Sequence, residues 1–330
     1  MSESSRGDDK KLHDNNRTLH GIGLKACNAT SKYLKVTSYK DGHEYYIEYV
    51  NGGTLKTPVT KVGKTSKTGT SVLFIPDETV FDTVKINKTK LIDRLKEKAF
   101  LMKGIKFVIK DARDGTEEVI QYEEGIKEYL EMSNKEKKSI TKIGFFEGVA
   151  HEINVEVALQ WVDDYNDIVL AFTNNVKNPD FGTHVTGFRA GLLKAINRFA
   201  KEQGHLKSKD PNFQTKDVSE GLVGIISVLV PENQLQFNSQ TKDALNTPLA
   251  KNAVEEVLES SLYEFLLANK KESEKLMTKL KQNQKARIEA KKLRDKQKKQ
   301  KGKKNLALDK LTPATGKDVS KKELFVVEGN

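Results

Sequence analysis

Residues 270–304 hold 16 of the chain's 57 Lys and Arg residues and only 4 acidic ones, a local charge of +12. The rest of the chain sums to −1, so the protein is close to neutral outside this basic segment. The basic segment predicts either a solvated Lys-rich helix or a contact with nucleic-acid phosphates, and charge alone does not decide between them.

The length of 330 residues suits two domains, or one domain with a long appendage. No apolar run reaches the roughly 20 residues of a membrane span, and residues 1–16 lack the apolar region of a secretory signal. We therefore expect a soluble, cytoplasmic protein. Cys27 is the single cysteine, which excludes an intramolecular disulfide and a cysteine-rich zinc site.

The first 130 residues after the polar start alternate strand and turn patterns around one amphipathic helix. Asp41-Gly42 between two β-branched and aromatic runs indicates a hairpin, because glycine accepts the positive φ of a tight turn. Apolar residues at spacings of four and three indicate the helix. The predicted elements are strands at 33–39, 44–50 and 71–75 (the last buried), a helix at 91–102 and a hairpin of 105–110 with 117–122.

The polar run 132–139 is the predicted domain boundary. The stretch at 153–161 alternates apolar and polar residues, which favours a sheet with one solvent-exposed face. From about residue 250 an apolar helix face leads into the basic segment, and Gly302 is expected to end that helix. The remaining predicted elements are strands at 140–146, 167–173 and 221–230, a helix at 186–202, and at 323–327 the first strand of a third unit.

Two motifs suggest phosphate binding. Gly21 and Gly23 lie one residue apart just before a helix start, where backbone N–H groups can converge on an anion, although an ordinary loop is the commoner meaning. Gln240-Thr241-Lys242 follows a strand and would place an ammonium on a terminal phosphate. A second copy of the tripeptide, Gln214-Thr215-Lys216, shows that it also arises by chance.

Two further motifs allow a catalytic or a structural role. Gly182-Thr183-His184 precedes a helix, and the favoured interpretation is that Thr183 or Thr186 caps it while His184 packs in the core. Glu328-Gly329 follows a strand, a common position for a metal ligand, but a metal site would need further acidic residues.

Taken in order, these pieces resemble the B subunit of the bacterial type IIA DNA topoisomerases. Each stretch is weak by itself, but eight occur in the family's order from about residue 19 to the end. The stretches at 122–130 and 235–251 are more similar to topoisomerase IV than to gyrase. The matching stretches are LHGIG (19–23), KTGTSVLFIPD (67–77), YEEGIKEYL (122–130), VEVALQW (155–161), FGTHVTGFRAGL (181–192), SEGLVGIISVLVP (219–231), LQFNSQTKDALNTPLAK (235–251) and KKELFVVEG (321–329).

The resemblance implies an α+β fold: part of a GHKL-type ATPase α/β sandwich, followed by a transducer domain like ribosomal protein S5 with a long C-terminal helix. The implied domains are 1–137 (ATPase, with the lid), 138–305 (transducer, with a long basic helix over 250–304), 306–322 (linker) and 323–330 (start of a Toprim domain).

The resemblance also implies the sites. Gln240 and Lys242 would contact the γ-phosphate of ATP. Because ADP lacks this phosphate, the contact would distinguish ATP from ADP, and its loss on hydrolysis would let one domain move against the other. Glu328 would be the Toprim glutamate, as metal ligand or acid/base in strand cleavage, with Mg²⁺. The other implied ATP-binding residues are Leu19, His20, Gly21, Ile22, Gly23 and Thr70. The implied DNA-binding residues are Lys285, Arg287, Lys291, Lys292 and Arg294.

In this family the B subunit works with the A subunit to pass one DNA duplex through another, in an A2B2 complex whose ATPase domains associate with each other. The sequence departs from the pattern where Asn16-Arg17-Thr18 replaces the lid's S-G-G and where Asn330 replaces the aspartate of E-G-D. The family's catalytic glutamate and D-x-D metal pair have no counterpart here. We therefore expect a fragment that alone neither hydrolyses ATP nor cleaves DNA.

Three alternatives remain at this point. In the first, the chain is the B subunit of DNA gyrase, which supercoils DNA negatively. In the second, it is a related mismatch-repair or Hsp90-like ATPase, although those families are not expected to combine GTHVTGF, QTK and VVEG. In the third, it is a plain nucleic-acid-binding protein that acts through residues 270–304, and its DNA affinity should then fall steeply with salt.

Overall fold

The computed structural model describes residues 22–304, 318–324 and 326. The helices are α1 Ile22–Ala29, α2 Lys88–Leu101, α3 Ile126–Ser133, α4 Thr183–Glu202, α5 Thr215–Ser219, α6 Pro248–Ala268 and α7 Lys270–Lys304. The strands are β1 Ser31–Lys40, β2 His43–Val50, β3 Thr54–Lys64, β4 Gly69–Pro76, β5 Phe107–Asp111, β6 Thr116–Ile120, β7 Gly144–Ala150, β8 Ile153–Trp161, β9 Ile168–Thr173, β10 Val176–Lys177 and β11 Leu222–Leu229.

The first sheet is antiparallel, with strand order β3-β2-β1-β4. Asp41 and Gly42 have φ of 55° and 72°, the left-handed values of a tight hairpin turn, which confirms the predicted hairpin. The expected burial of residues 71–75 is wrong, since Leu73 in β4 is 54% exposed. The reason is that β4 is an edge strand, and the helix packed against it, α1, contacts only part of β1 and β4.

Helix α2 and the β5–β6 hairpin connect the first sheet to the second. Asn87 caps α2, because its side-chain oxygen accepts a hydrogen bond from the Lys90 amide at 3.0 Å. At the other end Phe100 stacks on Tyr122 at 3.7 Å and on Tyr129 at 4.6 Å between ring centroids. These aromatic rings join α2 to the chain after β6 and to α3.

The second sheet has the order β10-β9-β11-β8-β7, with β9 and β11 parallel and the other pairs antiparallel. Helices α4 and α6 cover one face, and α3 covers the other. The expectation of one solvent-exposed face on β8 is confirmed for its first half, where Asn154 is exposed and Glu156 half-buried, and is wrong for residues 158–161, which are all buried. Val157 and Leu159 pack in the larger core, while Ala158, pointing the opposite way, packs in the smaller one with Leu130 of α3.

Helices α4 and α6 approach so closely that glycine is required at the contact. A Cβ on Gly187 would lie 2.2 Å from the Lys251 carbonyl oxygen, and one on Gly191 would lie 2.8 Å from that of Glu255. The helix pair packs on the sheet and contributes much of the larger core. Residues at 181–192 that looked like a motif thus include two that make helix packing possible.

The predicted continuous helix over 250–304 is two helices. Asn269, with φ −112° and ψ 57°, ends α6, and the Ser273 hydroxyl donates to the Leu266 carbonyl at 2.8 Å across the break. The first turns of α7 are docked on the larger core through buried Leu276 and Leu280. Gly302 does not end the helix, which continues to Lys304.

The predicted third unit is described only in part. A single 3₁₀ turn spans Val319–Lys321, and residues 323, 324 and 326 have no regular secondary structure. The other residues of the predicted strand at 323–327 lie outside the described residues. Within the described ranges, the structure holds no helix with the length and apolar character needed to cross a bilayer.

Candidate functional site

The segment 236–247, which carries Gln240-Thr241-Lys242, forms a narrow loop closed at its base. Phe237 pairs with Leu245 in an antiparallel bridge. The Asn238 amide donates to the Ala244 carbonyl, and the Ala244 amide donates to the Asn238 side-chain oxygen, both at 3.1 Å. We call residues 239–243 the loop tip; within it the Ser239 and Thr241 hydroxyls lie 2.8 Å apart.

Lys242 occupies an unusual backbone conformation that a buried amide holds in place. Its φ is +63°, in the left-handed region that non-glycine residues rarely adopt. The Asn178 side-chain N–H donates to the Lys242 carbonyl at 2.7 Å, and the Asn178 oxygen accepts from the Thr173 hydroxyl at 2.7 Å. Asn178 is 1% exposed, so its position is fixed by the core and in turn fixes the loop tip.

The Gly182-Thr183-His184 motif clamps the other side of this loop. Gly182 pairs with Leu245, and a Cβ there would lie 2.3 Å from the Leu245 carbonyl oxygen, so only glycine fits. The Thr183 amide donates to the Leu245 carbonyl at 2.9 Å, and its hydroxyl donates to the Thr247 carbonyl at 2.7 Å. The expected capping of α4 by Thr183 or Thr186 is therefore wrong. Gly182 is at the N-cap position, Thr183 contacts the loop instead, and the Thr186 hydroxyl donates to the Gly182 carbonyl.

His184 is a core residue, as the favoured interpretation predicted. It is fully buried, and neither ring nitrogen has a hydrogen-bond partner. Burial lowers the pKa of His184 to about 4, so the ring is neutral at pH 7.

A positively charged site lies where α2 meets the second sheet. Asn174 and Asn175 form the β9–β10 turn with φ of 48° and 63°, and the Lys98 ammonium donates to the Asn175 carbonyl. Burial lowers the pKa of Lys98, the nearby Glu97 carboxylate acts against this, and the charges of Arg94 and Lys242 lower the pKa further. Three cations therefore lie near one carboxylate here, and the excess of positive charge favours an anion.

The loop tip offers its functional side chains to the outside. Gln240 is exposed, and Lys242 is half-buried with its ammonium 5.7 Å from the Phe237 ring centroid. Sequence analysis missed Asn178 and Lys98, because their partners lie 64 and 77 positions away in the chain. No local signal marks such contacts.

The other predicted ATP-binding residues are not brought to this loop by any described contact. Ile22 and Gly23 begin α1, where Ile22 is 46% exposed, and Thr70 is exposed on β4 opposite Ser38. Among the described residues, no hydrogen bond or ion pair joins these positions to the loop tip. Leu19, His20 and Gly21 lie outside the described residues. A nucleotide site shared by the two parts stays a prediction.

Glu328, the predicted metal ligand, likewise lies outside the described residues. Within residues 22–304, 318–324 and 326, no three His, Cys, Asp or Glu side chains lie close enough to hold a metal ion. Binding of Mg²⁺ by Glu328 stays a prediction, and we derive no chemical step through the metal.

Two residues of the basic segment fasten α7 to the rest of the protein. The Lys279 ammonium donates to the carbonyls of Val162 at 3.3 Å and Asp164 at 3.0 Å. Arg287 makes a two-pronged ion pair with Asp217 at 2.7 and 2.9 Å, and Asp217 is 1% exposed. Hydrogen bonding to Asp217 raises the pKa of Arg287. Arg287, predicted to bind DNA, is committed to this buried carboxylate.

The other predicted DNA-binding residues face outward. Lys285, Lys291, Lys292 and Arg294 are exposed, and within the described part of the chain none of them forms an ion pair. The copy Gln214-Thr215-Lys216 lies beside the same helix: Gln214 precedes the short helix α5 and forms a capping box with Asp217. That copy is thus a helix start, in contrast to the loop at 240–242.

The family model for DNA gyrase B matches residues 125–296. The B subunit of DNA topoisomerase 4 from Enterococcus faecalis is 42% identical over 319 residues, which cover 94% of this chain and 46% of that protein. The protein of the same name from Mycoplasma capricolum is 40% identical over 325 residues, covering 98% and 50%. The chain therefore spans about half the length of the curated relatives it matches.

Solved structures agree with these relatives. The 43K ATPase domain of Thermus thermophilus gyrase B, in complex with an aminocoumarin, matches with a TM-score of 0.72 at 29% identity. The match covers 86% of this chain and 76% of the gyrase chain. The topoisomerase IV ATP-binding domain of Francisella tularensis has a TM-score of 0.72 at 24% identity, covering 83% and 74%, and shows the shared fold. The α+β fold expected from the sequence is confirmed. With a family model over more than half of its length and relatives at about 40% identity, this chain belongs to the DNA gyrase B family.

Proposed function

We propose that this chain is part of the B subunit of an ATP-dependent type IIA DNA topoisomerase, of the topoisomerase IV kind rather than gyrase. ATP binding and hydrolysis would close a gate formed by two associating ATPase domains. One duplex would then pass through another with the help of the A subunit in an A2B2 complex. The names of the relatives support this, since two of them at 40–42% identity are B subunits of DNA topoisomerase 4. A gyrase role with negative supercoiling is the alternative.

The observation that carries the proposal is the fixed loop tip with Lys242. Its backbone is held by Asn178 through a buried hydrogen bond, while its side chain is half-buried beside a site that already holds Lys98. A positioned cation of this kind suits the terminal phosphate of ATP. Because ADP lacks that phosphate, Lys242 would respond to ATP alone, and Gln240 would donate a second hydrogen bond.

The remaining nucleotide contacts follow from the resemblance. The backbone at 19–23 would surround the triphosphate, and Thr70 would line the pocket. The domains would be 1–137 for the ATPase part, 138–305 for the transducer, 306–322 for the linker and 323–330 for the start of the Toprim domain, where Glu328 would bind Mg²⁺. The two sheets lie on either side of the 137/138 boundary, which supports this division.

The test is the affinity of the full-length protein for a non-hydrolysable ATP analogue and for ADP, measured by isothermal titration. Lys242→Gln should weaken analogue binding roughly 10- to 100-fold, the equivalent of one charge-assisted hydrogen bond, and leave ADP binding unchanged. Lys201→Gln, an exposed lysine of α4, is the matched control and should alter neither. Equal losses for the two nucleotides, or no loss, would refute the role of Lys242.

A second function, DNA binding through the basic helix, is favoured by the exposed Lys285, Lys291, Lys292 and Arg294. Deleting all of 270–304 would not test it cleanly, because Leu276 and Leu280 belong to the core. A chain ending after residue 288 keeps these residues and the Arg287 ion pair. It should fold and lose most of its salt-dependent DNA affinity. Unchanged affinity would show that the helix end does not contact DNA.

A further inference from the structure

A groove of about 880 Å³ runs between the basic helix α7 and the segment around α5. The helix contributes Arg287, Lys291 and Arg294, and the folded unit contributes Arg189 and Lys216. Ala286 and Ala290 also line it, and their small side chains leave room between the charged ones. The groove thus combines residues of the basic segment with residues more than 60 positions earlier in the chain.

The charges in the groove do not cancel. Asp217 is paired with Arg287, and Asp167 lies 3.3 Å from Arg189. Once these two pairs are set aside, the groove lining has three cations, Lys216, Lys291 and Arg294, and one acidic residue, Glu220. Within the described part of the chain these three cations have no ion-pair partner. The groove therefore presents an excess of positive charge to the outside.

Helix geometry places the cations of α7 on two different faces. At 3.6 residues per turn, Lys291 and Arg294 lie within roughly 40° of Arg287 around the helix axis. Lys285 and Lys292 lie roughly 140–160° away from Arg287 on the opposite side. The groove lining agrees, since it includes Lys291 and Arg294. The buried Arg287–Asp217 pair fixes which face is turned toward the groove.

We propose that this groove holds one sugar-phosphate strand of double-stranded DNA, with Lys216, Lys291 and Arg294 contacting successive phosphates. The proposal rests on the DNA contact of the basic helix proposed above and assigns that contact to one face. Lys291 and Arg294 lie on one face of α7, about 4.5 Å apart along the helix axis, so that their long side chains can reach neighbouring phosphates of one strand. Lys216 extends the contact beyond the basic segment, to a residue that charge density alone does not single out.

The experiment measures fluorescence anisotropy of a short labelled duplex with this chain at several salt concentrations. The variant Lys291→Gln/Arg294→Gln removes two groove cations, and Lys285→Gln/Lys292→Gln removes the same charge from the opposite face. The groove variant should lower the magnitude of the salt slope by about two and the affinity about 60-fold at 0.1 M salt. The control variant should lower the slope by less than one.

Lys216→Gln is the second arm and should lower the slope by about one, or about 8-fold in affinity at 0.1 M salt. Equal losses for the two double variants would overturn the groove while leaving DNA binding by the helix intact. An unchanged affinity of Lys216→Gln would overturn it as well. No binding by the unaltered chain would refute the DNA contact itself. Because all five substituted residues are exposed, unchanged circular dichroism and melting temperature verify that each variant is folded.

Discussion

The Asp217–Arg287 ion pair predicts a large and specific loss of stability. Asp217 is 1% exposed and accepts hydrogen bonds from Arg287 at 2.7 and 2.9 Å and from the Gln214 amide at 2.8 Å. Asp217→Asn keeps the size of the side chain but leaves the guanidinium without its counter-charge. Breaking one partner of a buried pair costs about 3–5 kcal/mol. The Arg287 side chain is 22% exposed, which places the expected cost near the lower end.

A loss of about 3 kcal/mol should lower the melting temperature by roughly 6–12 °C, as measured by differential scanning calorimetry. Asp167→Asn is the control, because it removes the same charge from an exposed pair with Arg189. It should cost less than about 1 kcal/mol. The double variant Asp217→Asn/Arg287→Met should recover much of the loss, since no unpaired charge remains. If Asp217→Asn melts no lower than Asp167→Asn, the pair does not fasten α7 and our account of Arg287 is refuted.

Three further predictions concern the loop, the core and the first sheet. Gly182→Ala should lower the free energy of unfolding in urea by about 1–3 kcal/mol and weaken ATP-analogue binding, since the added Cβ would meet the Leu245 carbonyl. Wild-type values for both would contradict the role of Gly182 in holding the loop. His184 has a pKa of about 4 in the folded protein, so the histidine of the unfolded chain takes up a proton first as the pH falls below about 6.5. The free energy of unfolding should therefore drop by up to about 3 kcal/mol between pH 7 and pH 4. The variant His184→Leu should lose that part of the pH dependence. Hydrogen exchange should be faster in residues 33–75 than in 140–230, because β4 is exposed and the second sheet is covered on both faces; equal protection would contradict this.

Local patterns predicted the elements well where the cause is itself local. The turn at Asp41-Gly42 needs positive φ, and the residues that allow it are adjacent in the chain. The helix at α2 and the hairpin of β5 and β6 follow in the same way from apolar spacing and turn residues. The order of the short stretches also identified the family, because order is a property of the chain alone.

Burial was predicted less well. The alternation in β8 indicated one solvent-exposed face of the sheet, yet α3 packs on the face to which Ala158 points. Conversely, the apolar run at 71–75 indicated a buried strand, but β4 lies at the edge of its sheet. A strand's own residues state a preference for burial, whereas the number of covered faces depends on what packs against it.

The sequence alone determined most of the strands and helices, although not β3, α3 or the break after α6, and it determined the family and the placement of nearly all the net charge in residues 270–304. Only the tertiary structure decided which of those charges are available, because Arg287 is paired with a carboxylate 70 positions earlier while Lys291 is not. It also decided how Lys242 is held, through Asn178 on a different part of the chain. Hydrogen bonds and ion pairs act over about 3 Å in space, and distance along the chain does not reveal which groups folding brings that close.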